Sequence, residues 1–97
     1  GAQGFYHGSS EAGKRLADIL QNQLRTGVDP DNRRVAKANT SYYLLKETTV
    51  PTVIVECGFL SNWEEAALLI EEEYQEKMAW NIALGIMRYL NESKSVV

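Results

Sequence analysis

Val53-Ile54-Val55-Glu56-Cys57-Gly58 sets one carboxyl and one thiol side by side at the end of an apolar, β-branched run. A carboxyl partly desolvated at such a place has its pKa raised toward the range useful for proton transfer. In open α/β sheets, ligand crevices lie beyond the carboxyl ends of the strands. The plainer alternative is that Glu56 only ends a strand and pairs with Lys46, Arg33 or Arg34. Cys57 follows directly, so on an extended strand its side chain points to the face opposite Glu56. A small buried apolar residue accounts for Cys57 better than a nucleophile does.

Other residues carry weaker signals. Arg33, Arg34 and Lys37 read either as a solvated basic loop or as contacts for anionic groups. Phe59 and Leu60 fit a substrate groove and core packing equally well. His7 is the only histidine and Cys57 the only cysteine, too few for a Cys/His zinc site. His7 and Glu11 are four apart, but Gly8-Ser9 between them is turn chemistry, so His7 reads as an ordinary loop residue.

The elements that must position Glu56 follow from periodicity and punctuation. Ala2 to Tyr6 is a short strand candidate bounded by glycines. Ser9-Ser10 offers an N-cap for a helix over about 10–26, with Leu16, Ile19, Leu20 and Leu24 on one stripe and Gly27 as a C′ residue. Residues 28–39 read as loop, with turn chemistry at Asp29-Pro30-Asp31-Asn32. Tyr42 to Leu45 is a candidate strand, and Thr52 to Glu56 a second one started by Pro51. The link between them is too short for a parallel crossover, so the two are antiparallel neighbours or not adjacent. The unbroken apolar run of the second predicts cover on both faces. Ser61 and Asn62, three residues before Glu64 and Glu65, form a capping-box signature with two possible registers. A short helix over 63–70 follows, then a longer one over 72–90. The stripe of Tyr74, Met78, Ile82, Ile86 and Leu90 is expected to face a core. The expectation is an α/β fold: a small mixed β-sheet of about three strands packed with three helices.

Composition narrows the function classes. Of 97 residues, 44% are apolar and 24% charged, a globular balance, and the net charge is −3. Arg33-Arg34 is the only basic block, which argues against a nucleic-acid surface. No apolar run approaches the length of a membrane helix. A single cysteine precludes an internal disulfide and leaves the redox compartment open. No targeting signal is visible, but the chain opens at Gly1 without a Met, so its compartment is not read from that.

Val50 through Asn62, followed by Glu64-Glu65-Ala66, resembles the C-terminal signature of the zinc-dependent N-acetylmuramoyl-L-alanine amidases (amidase family 3). Gly1 to Tyr6 resembles the strand after that family's second zinc histidine. Asn32 to Ala38 and Tyr43 to Lys46 resemble its middle block, and Tyr74 through Leu90 its closing helix. The version here is most similar to the spore-cortex, germination-specific amidases of endospore-forming bacteria. The resemblance implies that residues 1–91 are the C-terminal part of the catalytic domain, within a larger three-layer α/β/α fold, and 92–97 a tail. It implies hydrolysis of the amide between N-acetylmuramic acid and the L-alanine of the stem peptide. In the family, zinc held by two histidines and a glutamate polarises the carbonyl and activates water, and the glutamate matching Glu56 shuttles the proton. Arg33 and Leu60 are the candidate substrate contacts. The family's metal ligands correspond to nothing in this chain, so no metal residue is expected here. Zinc is then a cofactor of the intact enzyme, and these 97 residues alone are expected to be inactive. Peptidoglycan is the implied partner, in the extracytoplasmic cell wall or spore cortex. A partial sheet also exposes an edge suited to self-association. A module that has lost its metal half and only binds cell wall or a partner is the alternative.

Overall fold

The computed structural model describes residues 1–47 and 49–94. Seven elements follow in order: β1 (Gln3–Tyr6), α1 (Glu11–Gly27), β2 (Lys37–Ala38), α2 (Tyr43–Lys46), β3 (Val53–Glu56), α3 (Trp63–Leu69) and α4 (Glu72–Lys94). The sheet order is β2-β1-β3. β1 runs parallel to β2, with Phe5 opposite Lys37, and antiparallel to β3, with Gln3 opposite Glu56 and Tyr6 opposite Val53. The sheet is mixed and three-stranded, but its third member is Lys37–Ala38, inside the stretch expected to be loop. Tyr42 to Leu45, expected as a strand, is instead the N-cap and first three residues of α2.

The reason lies in Asn39. Its side-chain oxygen accepts from the backbone N–H groups of Ser41 (2.8 Å) and Tyr42 (3.1 Å). That Asx turn bends the chain before a strand can start. Leu45, 3% exposed, then anchors the single helical turn.

α1 begins as its cap predicts: the Ser10 hydroxyl accepts from the Gly13 N–H at 2.9 Å. Ala17, Ile19, Leu20 and Leu24 are buried, and Leu16 lies at the edge of the stripe. Gly27 is not a left-handed C′ residue, since no residue of the chain has positive φ among those described. It is the last residue of α1, and its missing side chain matters more: a Cβ there would lie 1.9 Å from Asn81 Oδ1 of α4. At Gly85 a Cβ would meet Leu20 Cδ2 at 2.6 Å. The two helices therefore approach closely on glycines, with Gln23 Nε2 donating to Asn81 Oδ1 at 2.8 Å between them.

The stripe of α4 is only half in the core. Met78 is buried and Tyr74 and Ile82 pack beside it, whereas Ile86 and Leu90 are 42% and 52% exposed. Four-residue steps overshoot the helical repeat by about 40° each, so a row of five drifts roughly 160° around the helix. Asn81 and Gly85 take the α1-facing place instead. α4 also continues beyond residue 90 to Lys94, into the expected tail; residues 95–97 lie outside the described residues.

Ala2, Leu24 and Met78 form one contiguous cluster of the core, flanked by Val28, Val55, Cys57, Tyr74 and Ile82. All four residues of β3 are half-buried, so its two-sided cover is partial. Cys57 sits on the core side, opposite Glu56, and burial pushes its thiol pKa up. At α3 the capping register is Asn62, whose side chain accepts from the Glu65 N–H at 3.1 Å.

Three outcomes test this packing. Leu24→Ala, deleting a core side chain that is 2% exposed, should cost about 2–4 kcal/mol of unfolding free energy by chemical denaturation. Asn62→Ala should cost about 1 kcal/mol in the same measurement, while Ser61→Ala, one residue out of register, stays near neutral. A raised pKa means less thiolate at a given pH, so Cys57 should react with a disulfide reagent at pH 8 more slowly in the folded chain than after denaturation.

Candidate active site

Glu56 ends β3, and its register partner is Gln3. Residues opposite one another share a face, so Glu56 and Gln3 stand on the sheet face away from Val55 and the core. The Tyr42 hydroxyl donates to Glu56 Oε1 at 3.1 Å. Tyr42 is placed from two sides. Its N–H is held by Asn39 Oδ1, and its ring meets Phe5 of β1 edge-on, with centroids 5.6 Å apart and planes at 85°. The hydrogen bond to Glu56, then desolvation and the carboxylate charge, raise the Tyr42 pKa. The phenol therefore stays protonated and remains the donor at neutral pH. Among the described residues Glu56 makes no ion pair; Lys46, Arg33 and Arg34 do not neutralise it.

The chain beyond Glu56 is turned toward α3. A Cβ on Gly58 would sit 3.3 Å from Leu69 Cδ1 and 3.5 Å from Glu65 Cβ, so glycine admits the helix here. The Glu65 carboxylate accepts from the Phe59 N–H at 3.1 Å rather than closing a capping box on Asn62. The Arg34 guanidinium lies 4.5 Å from the Phe59 ring centroid, a cation–π contact. Buried Asn32 sets that arginine: its Oδ1 accepts from the Arg34 N–H at 2.9 Å while its Nδ2 donates to the Ala2 carbonyl at 3.0 Å. Gln3, 1% exposed, donates from Nε2 to the Val35 carbonyl at 2.7 Å and to the Gly4 carbonyl at 2.9 Å. Its Oε1 is buried without a hydrogen-bond partner among the described residues.

Arg34, rather than Arg33, thus stands over the segment that follows Glu56. Arg33 is exposed, and Leu60 is 80% exposed. Tyr42 reaches Glu56, Arg34 reaches Phe59 and Gln3 stands opposite Glu56; of these only Arg34, within its basic block, stands out in the sequence. Tyr42 sat in an apparent strand, and the one signal against that was Asn39 two residues before Ser41, an Asx-turn spacing.

His7 lies at the far end of the sheet, one residue beyond the Tyr6–Val53 pair. Its Nδ1 is 2.7 Å from the Ser9 hydroxyl and accepts from the Ser9 N–H at 3.2 Å. A concavity of about 310 Å³ opens there, lined by His7, Ser9, Ser10, Lys46 and Thr52 among others, with no acidic residue among the described residues of its wall. It is unsuited to carboxylate chemistry. No three His, Cys, Asp or Glu side chains among the described residues come together to hold a metal ion. Around Glu56 these residues offer no imidazole, so they do not fit a zinc donor set on their own.

A profile of the N-acetylmuramoyl-L-alanine amidase family matches residues 1–88. The germination-specific N-acetylmuramoyl-L-alanine amidase of Bacillus subtilis (strain 168) is 40% identical over 92 residues, which cover 95% of this chain and 38% of that protein. The amidase LytC of the same organism is 31% identical over 91 residues, 92% of this chain and 18% of that protein. Among solved structures, the CwlD amidase from Clostridioides difficile in complex with the GerS lipoprotein superposes with a TM-score of 0.91 at 46% identity, over 94% of this chain and 46% of that one. An N-acetylmuramoyl-L-alanine amidase from Clostridium difficile 630 gives a TM-score of 0.85 at 29% identity, over 94% of this chain and 48% of that one. This chain therefore spans less than half the length of these relatives, and it belongs to the N-acetylmuramoyl-L-alanine amidase family.

Proposed function

We propose that residues 1–91 are the C-terminal part of the catalytic domain of a peptidoglycan hydrolase. It cleaves the amide between N-acetylmuramic acid and the L-alanine of the stem peptide, and Glu56 is its proton-transfer carboxylate. The observation that carries this reading is the environment of Glu56. It is a strand-end carboxylate with no cation paired to it among the described residues and a single phenol donor on one oxygen. A carboxylate locked in an ion pair is a poor base, whereas one with a free oxygen can exchange a proton. In this role Glu56 takes a proton from the water that attacks the lactyl carbonyl. It then delivers that proton to the alanine nitrogen as the C–N bond breaks.

The family match and the germination-specific relative support a site of action outside the cytoplasm, in the cell wall or spore cortex. Arg33 and Leu60 are proposed substrate contacts, both left exposed. Zinc, which the family resemblance implies, requires ligands from outside this chain, because the donors around Glu56 do not supply them.

The test uses the full-length parent with zinc present. Glu56→Gln keeps size and polarity but cannot act as a base, and should lower release of muropeptides from purified peptidoglycan by about a hundredfold or more with the fold intact. Unchanged activity would mean that Glu56 is structural.

A further inference from the structure

We propose that Tyr42 is a positioning residue that holds Oε1 of Glu56, leaving Oε2 as the oxygen that exchanges the proton. This rests on the reading of Glu56 as the proton-transfer carboxylate. Three contacts carry it. The Tyr42 hydroxyl donates to Oε1 at 3.1 Å and is the only hydrogen-bond partner of the Glu56 carboxylate among the described residues. The Tyr42 ring is braced edge-on against Phe5, on the strand next to β3. Its backbone N–H is tied to Asn39 Oδ1 at 3.1 Å. The hydroxyl is thus delivered from a support anchored in the sheet and the Asx turn together. A carboxylate side chain at a strand end otherwise turns freely about its last torsions, which are broad. One charge-assisted donor on one oxygen removes much of that freedom. It leaves the second oxygen to face the reacting water, and preorganisation of this kind lowers the barrier without adding affinity for the substrate.

The experiment is a double-mutant cycle in the full-length parent with zinc and a soluble N-acetylmuramoyl peptide as substrate. Tyr42→Phe keeps the ring against Phe5 and removes only the hydroxyl. Its kcat should fall roughly tenfold, the loss expected for one hydrogen bond to a charged group, with KM within about twofold of wild type. In a Glu56→Gln background the same change should have no further effect on kcat. Wild-type kcat in Tyr42→Phe would overturn the proposal, as would an equal loss with and without Glu56, since Tyr42 would then act independently of it. A rise in KM at constant kcat would overturn it too, making Tyr42 a substrate contact. Full activity of Glu56→Gln alone would instead overturn the parent reading. A second measurement does not depend on Tyr42→Phe folding: the Tyr42 phenol, followed by NMR of its ring carbon, should titrate at lower pH in Glu56→Gln than in wild type. Identical titration would overturn the coupling.

Discussion

The backbone of β1 needs hydrogen-bond partners that its neighbouring strands do not supply along its whole length. β2 reaches only opposite Phe5 and Tyr6, so Ala2, Gln3 and Gly4 run without it in the middle of the molecule. A buried N–H or C=O left unpaired costs about as much as a lost hydrogen bond. Three buried amide side chains fill the gap. Gln21 of α1 accepts from the Gly4 N–H at 2.8 Å and donates to the Ala2 carbonyl at 2.9 Å. Asn32 donates to the same Ala2 carbonyl, and Gln3 satisfies the Gly4 and Val35 carbonyls. Gln21 and Asn32 each accept and donate, and Gln3 donates twice, so these amides can stand in for pieces of ladder.

That arrangement locates everything else. The clamp by Gln21 fixes α1 on β1 at a chosen register, and α1 in turn receives α4 on its glycine-lined side. Asn32 and Gln3 hold residues 32–35 against the start of β1, and this is what brings Arg34 over Phe59. The antiparallel register with β1 then sets Glu56 beside Gln3, on the face away from the core. A slip of one residue would exchange the faces of Glu56 and Cys57, burying a carboxylate and exposing a thiol. The core-facing Val55 and Cys57 guard against that slip.

Polar and apolar parts of the molecule play different roles. Leu24, Met78 and Ala2 supply burial, which is not directional. The amides, the Asn39 turn and the Asn62 cap supply direction, and the segments that shape the surroundings of Glu56 are all held by such groups. Ion pairs contribute less. Lys14 with Asp18 and Arg15 with Glu92 are exposed, where such pairs are worth little.

The sequence by itself determined the elements whose signal is local. Ser9-Ser10 marked the start of α1 and Leu20 and Leu24 its buried stripe, the β-branched run marked β3, and Ser61-Asn62 with the following glutamates marked the start of α3, with the choice of Asn62 left to the structure. It also determined Glu56 as the residue to examine, because a strand-end carboxylate before a glycine and a capped helix is a pattern of neighbours along the chain. Tertiary structure decided what depends on partners distant in sequence. Lys37–Ala38 became a strand only because β1 lay alongside. Tyr42 became the partner of Glu56 only after the Asn39 turn lifted it out of an apparent strand. Arg34 rather than Arg33 met Phe59 because Asn32 was pinned to Ala2. Ile86 and Leu90, apolar and in step with Met78, were left in solvent because helical drift carried them past α1. In each case the physical reason is the same: a side chain's chemistry is set by its residue type, while its partner is set by packing that no local window contains.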